Sequence, residues 1–230
     1  MDPMVLAGIS LLVGGLLNIA AACFVERLRG PRIKFEIEPV WEGQIMPGAL
    51  DLRSLRVRVS NTPLGGFFGI FVIRAPALQC RGLITFHRLD GRNMFSGPME
   101  ARWASALQPN PIPIIDESGQ VKLRILDPAM IGVGSRVDIY PGESEVLDVV
   151  ARIQADVECY GWNNETYFSQ PFGRNAKWKL PHERFLASVV IISSGRKRTG
   201  VFEVVNDGPR NMFRLQPATS AEQQAVAIHS

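Results

Sequence analysis

From Met4 to Val25 no position carries a charge (MVLAGISLLVGGLLNIAAACFV), and from Ile33 onward apolar and polar residues alternate instead. At 1.5 Å per residue, the roughly 22 charge-free positions make a helix of about 33 Å, enough to cross a hydrocarbon core with some tilt. A single N-terminal transmembrane helix is therefore expected. Cleavage is not: Ala20-Ala21-Ala22 could serve a signal peptidase and Ala-Ala-Ala-Cys23 resembles a lipoprotein box, but Met1-Asp2-Pro3 supplies no basic n-region. After the Gly30-Pro31 break, Ile33, Phe35 and Ile37 alternate with Lys34, Glu36 and Glu38, and Leu55, Val57 and Val59 with Arg56 and Arg58. The longest run sets Leu147, Val149, Ala151, Ile153, Ala155 and Val157 against Asp148, Arg152, Gln154, Asp156 and Glu158. Each reads as a half-buried strand. Shorter candidates are 80–88, 121–126, 135–140, 184–193, 200–205 and 211–215. Proline and glycine mark the joins, and no helical period follows the first segment.

Without strand–helix alternation a parallel α/β sheet is disfavoured. Roughly nine strands over about 185 residues suit a mainly β, antiparallel two-sheet sandwich. Tyr140-Pro141-Gly142-Glu143-Ser144, leading into the long alternating strand, resembles a turn and strand of immunoglobulin-like domains. Leu180-Pro181-His182-Glu183-Arg184-Phe185, running into Val189-Val190-Ile191 and a hairpin to Val201-Phe202, is similar to a late strand pair of such sandwiches. The resemblance implies a fold and no activity. The stretch 91–120 would be an insert on a minimal sandwich of this kind. The expected organisation is an anchor with a basic collar (1–29), a β-sandwich (30–215) and a loose tail (216–230), whose Ala, Gln and Ser show little pattern.

Charge sets the orientation. Arg27, Arg29, Arg32 and Lys34 crowd the far flank of the apolar stretch, while the near flank has only Asp2. The excess of positive charge places the sandwich in the cytoplasm and the N-terminus outside, with the collar among lipid headgroups. One helix face collects Ala7, Ser10, Gly14, Asn18, Ala21 and Ala22 at spacings of three and four. Small residues let a neighbouring helix approach, and Asn18 needs a partner that lipid cannot supply. The plainer reading is a solitary anchor that tolerates them.

The chain is 46% hydrophobic with a net charge of only +3, so no global field points to nucleic acid. Three cysteines, Cys23, Cys80 and Cys159, are too few for a disulfide framework. His87, His182 and His229 are scattered, and no CxxC, HExxH, GxSxG or phosphate-cradling glycine loop occurs. Neither catalysis nor a cofactor is expected. The polar-aromatic run from Cys159 to Phe168 contains Trp162, Asn163, Asn164, Glu165 and Tyr167, types that bind sugars by stacking and hydrogen bonds. The same residues serve an elaborate loop that satisfies its own backbone. Asn164-Glu165-Thr166 is a glycosylation sequon, which matters only in a secretory lumen.

Leu64 to Ile73 (LGGFFGIFVI) is too short to span a bilayer. It is either a central strand buried on both faces or an exposed element that puts Phe67, Phe68 and Phe71 against the membrane or a partner. Arg196-Lys197-Arg198 reads as a solvated hairpin turn or, alternatively, as a contact for phosphate or headgroups. Together these features point to an accessory or scaffolding subunit of a larger membrane complex. It would bind other membrane-protein subunits through its helix and sandwich. A membrane-tethered, carbohydrate-type binding module is the alternative.

Overall fold

The computed structural model describes residues 3–44, 51–66, 69, 72–105, 112–115, 120–125, 135–154, 156–167, 169 and 173–229; for 3–13, 44, 112–115 and 121–125 it describes the backbone only. Helix α1 (Pro3–Arg29) is followed by β1 (Ile33–Ile37), β2 (Trp41–Gln44), β3 (Asp51–Asn61), β4 (Ala77–His87), β5 (Met99–Glu100) and β6 (Arg102–Trp103). Then come β7 (Ile112–Ile115), β8 (Val121–Ile125), β9 (Arg136–Ile139), β10 (Ser144–Ile153), β11 (Cys159–Gly161) and the one-turn α2 (Asn164–Tyr167). Strands β12 (Lys179–Leu180), β13 (Phe185–Ser193), β14 (Arg196–Val205) and β15 (Arg214–Pro217) precede helix α3 (Ser220–His229).

The strands form two antiparallel sheets packed face to face. One runs β1-β3-β10-β11-β12, with β2 also on β3 and β6 also on β10; the other runs β15-β14-β13-β4-β5, with β9 also on β4. Strands β7 and β8 form a separate hairpin. The chain passes between the sheets at Ala101, the one residue separating β5 from β6, so part of the expected insert supplies strands to the sandwich. Between the sheets lie Leu55, Val57, Val59, Ile84, Phe86, Trp103, Leu147, Phe185, Val189 and Val204, all buried. Phe86 meets Phe185 and Phe95 edge-on, each at 6.0 Å between ring centres.

The long strand departs from simple alternation. A bulge shifts its register against β3 between Asp148 and Val150. One extra residue exchanges the two faces of a strand. Leu147, Val149 and Val150 enter the main core, whereas Ala151 and Ile153 join Leu52, Tyr160, Trp162 and Tyr167 in a second cluster. Nor is β10 half-exposed: Asp148 and Arg152 are both buried.

The expected loose tail is likewise different. Strand β15 pairs with β14, and α3 opens with a capping box. The Thr219 N–H donates to Glu222 Oε2 at 2.7 Å and the Glu222 N–H to Thr219 Oγ1 at 3.3 Å. Val226 then packs on Leu186 and Ala218.

Among the described residues no helix is long and apolar enough to cross a membrane; of the span expected from Met4 to Val25, side chains are described from Gly14 onward. Leu16, Leu17, Ile19 and Phe24 are more than half exposed. Phe67, Phe68 and Phe71 lie outside the described residues. Their described neighbours, Leu64–Gly66, Gly69, Val72 and Ile73, belong to no strand, and Ile73 is 83% exposed.

Candidate functional site

The end of the sandwich that carries α1 brings four segments together through one side chain. Asn61, at the end of β3, is fully buried. Its Nδ2 donates to the Ala75 and Ile139 carbonyls at 3.0 and 3.1 Å, and its Oδ1 accepts the Arg32 N–H at 3.0 Å. The Thr62 N–H reaches the Arg32 carbonyl at 3.0 Å, and the Ala75 N–H the Arg29 carbonyl at 2.6 Å. Arg74 Nη1 donates to the Gly30 carbonyl at 2.7 Å. The Arg29 carbonyl at the end of α1, which lacks a partner within the helix, is thus capped by Ala75, and the Gly30 carbonyl just beyond it by Arg74. The segment 62–75 starts and finishes at the base of α1, and the β13–β14 hairpin meets the same place. The Arg196 guanidinium lies over the place where a Cβ on Gly30 would sit.

Of the collar, Arg29 pairs with Glu26 at 3.2 Å and Lys34 with Glu36 at 2.6 Å; Arg27 and Arg32 are exposed. On the helix, Asn18, Ala21 and Ala22 are exposed, and nothing lies within 4 Å of where a Cβ on Gly14 would sit. Ala7 and Ser10 lie outside the described side chains.

The polar-aromatic run divides between core and surface. Trp162 and Tyr167 are buried and meet edge-on at 6.1 Å. Asn163 caps α2, its Oδ1 accepting the Thr166 N–H at 2.8 Å. Asn163, Asn164 and Glu165 line a cleft of about 480 Å³ with Arg81, Glu100, Lys177 and Trp178. Glu165 Oε2 accepts from Lys177 Nζ at 3.0 Å and from Trp178 Nε1 at 3.1 Å. Burial would raise the Glu165 pKa, but these two donors and the ammonium charge together hold it below the usual carboxylate range. Across the cleft Arg81 pairs with Glu100 at 2.9 Å. Rings and amides that read as one ligand loop in sequence therefore separate: Trp162 and Tyr167 pack in the second cluster, while Asn163, Asn164 and Glu165 line the cleft.

Two ionic centres escaped the sequence reading. Asp148, 0% exposed, accepts from Arg56 Nε at 2.7 Å and from Arg102 Nη1 at 2.8 Å. Arg56 lies over the Trp41 ring at 4.6 Å and Arg102 over Tyr167 at 4.9 Å. At the opposite end, buried Arg152 donates to the Asp156 and Gly208 carbonyls at 2.6 and 2.9 Å, and burial lowers its pKa. All three cysteines are free, and burial pushes the Cys80 and Cys159 thiols upward, away from the reactive thiolate. Among the described residues no three His, Cys, Asp or Glu side chains converge as a metal site requires. Compared with protein-family models, curated proteins and solved structures, the chain shows no significant match.

Proposed function

We propose that the chain is a membrane-anchored accessory subunit of a larger membrane protein complex, without catalytic activity of its own. One observation carries this reading: α1 is joined to the sandwich through its capped base, while its apolar side chains beyond that base meet water. Exposed leucine, isoleucine and phenylalanine on one helix demand a cover. A bilayer with neighbouring helices provides it over the whole charge-free stretch, with Ala7, Ser10, Gly14, Asn18, Ala21 and Ala22 against protein. At 1.5 Å per residue the 27-residue helix is about 40 Å long, a length that matches a bilayer with its headgroup layers.

The sandwich supplies the second binding surface, on the cytoplasmic side. We read it as immunoglobulin-like. The orders β1-β3-β10-β6 and β14-β13-β4-β5 resemble sheets A-B-E-D and G-F-C-C′ of that fold, with β9 as an extra excursion to the second sheet between β6 and β10. The fold carries no activity with it.

Purification from native membranes in mild detergent, followed by mass spectrometry of co-purifying chains, tests the proposal. A stoichiometric set of integral membrane proteins supports it; a chain that alkaline carbonate strips from membranes, or that purifies alone, overturns it. The cleft beside Trp178 favours a second reading, a tethered ligand-binding module with Asn163, Asn164 and Glu165 at its rim. Stabilisation of the lone chain by a sugar would support that reading instead.

A further inference from the structure

At the base of α1 the guanidinium groups of Arg74 and Arg196 meet at Gly30. Arg74 donates to the Gly30 carbonyl at 2.7 Å. The Arg196 guanidinium lies beside the Gly30 Cα, over the place a Cβ would take. Arg32, two residues on, is near enough that its charge, after burial itself, lowers the Arg74 pKa. Arg74 is only 8% exposed, and its Nε–H is buried without an acceptor. Three carboxylates at this end serve other donors: Glu26 pairs with Arg29, Glu36 with Lys34, and Asp138 Oδ1 accepts the Gln79 N–H at 2.7 Å. Among the described residues none pairs with Arg32, Arg74 or Arg196. A buried guanidinium with a donor to spare, with two further arginines at the same end, forms half of an ionic site. Buried cations are ordinarily paired, because the unpaired charge costs several kcal/mol. The opposite end shows the contrast: Arg152 is also buried, but carbonyls take its N–H groups.

We propose that Arg32, Arg74 and Arg196 form a binding site for the phosphate of an anionic phospholipid. The proposal rests on the reading of α1 as a membrane helix. Arginine suits the task, since its planar fork matches phosphate oxygens and keeps its charge when partly buried. Depth suits it too. Gly30 lies five residues beyond Val25, where the charge-free stretch stops, which along a helix is about 7.5 Å. The headgroup layer on each side of a hydrocarbon core is roughly 5–8 Å thick. The three groups therefore sit at the level of lipid phosphates, and Lys197 and Arg198, exposed on the same hairpin, add attraction for an anionic leaflet. A bound phosphate would tie α1, the 62–75 segment and the β13–β14 hairpin together.

Native mass spectrometry of the full chain in detergent, titrated with phosphatidylglycerol or phosphatidylcholine, tests this site. The expected result is one tightly held phosphatidylglycerol, about tenfold preferred over phosphatidylcholine. The double variant Arg32→Gln, Arg196→Gln should lose that preference. Both side chains are exposed, so it folds where a change at Arg74 endangers the fold. Arg92→Gln, on the β4–β5 loop beside Asp90, should keep the preference. Equal binding of the two lipids, or an unchanged double variant, overturns the proposal. Millimolar inorganic phosphate should not displace the lipid; displacement without lipid selectivity would make this a free-phosphate site and overturn the lipid assignment. Carbonate extraction of the same membranes keeps the two ideas apart. A chain that stays embedded but shows no lipid preference sinks this inference alone, whereas a chain released sinks the membrane reading.

Discussion

Two buried titratable side chains show how single residues bear on stability. Asp148 pairs with both Arg56 and Arg102. Asp148→Asn is nearly isosteric and leaves two guanidiniums facing each other across β3, β10 and β6. Removing one partner of a buried pair costs about 3–5 kcal/mol, so the urea midpoint should fall steeply; a loss under about 1 kcal/mol would mean that water already screens the centre. His87 behaves differently. It is buried, its Nδ1–H donates to the Gly91 carbonyl at 3.0 Å, and its Nε2 has no partner. Burial holds its pKa below the ordinary value of 6.5, and the nearby His229 pushes the same way. Below pH 6.5 the unfolded chain therefore takes up a proton that the folded chain refuses, and stability present above that pH is lost as the pH falls. Urea midpoints at pH 7.5 and 5.0 should differ more for the wild type than for His87→Gln, which keeps a donor but does not titrate. Equal pH dependence would show that another group governs this window.

Elements were legible where burial and polarity agree. Strands β1 and β3 follow from alternation because one of their faces is turned to the core. Alternation reports polarity and not exposure, so in β10 it marked Asp148 and Arg152 as solvent-facing when ion pairs and carbonyls bury them. It is equally blind to the bulge at Val149, which needs the partner strand to define it. Helix α3 hid because its Ala and Gln residues carry almost no period. The available signal was Thr219-x-x-Glu222, a capping box just past a strand. The cleft was half legible: Asn163, Asn164 and Glu165 came from one run, but Arg81, Glu100 and Lys177 reach it from other strands and turns. At this scale α1 gives a further test. Gly14 presents bare backbone, and close approach of small residues is worth on the order of 1 kcal/mol per contact. Gly14→Leu should reduce co-purifying chains without changing the melting of the sandwich. If every partner remains, the stripe does not face protein.

For the whole molecule the base of α1 matters most, where the Arg29 and Gly30 carbonyls accept from Ala75 and Arg74. Arg27, Arg29, Arg32, Lys34, Arg74 and the Arg196–Arg198 hairpin all belong to that end, which adds to the positive charge on the sandwich side of the helix. Topology should follow it. Protease added to sealed right-side-out vesicles is expected to leave the sandwich intact, and inverted vesicles should expose it. Digestion in the first preparation would reverse the orientation.

The pairing of β3 with β10 also has a consequence during synthesis. Arg56 and Asp148 are separated by 92 residues, which a ribosome adds in roughly 5–20 s. Through that interval β1 can fold back on β3 locally, while Leu55, Val57 and Val59 wait for the face that β10 and β13 will close. Non-local strand pairing of this kind is slow by nature and exposes apolar edges. The late arrival of β10 makes the growing polypeptide a natural client for a chaperone that binds extended apolar strands, released once Asp148 settles between its two arginines.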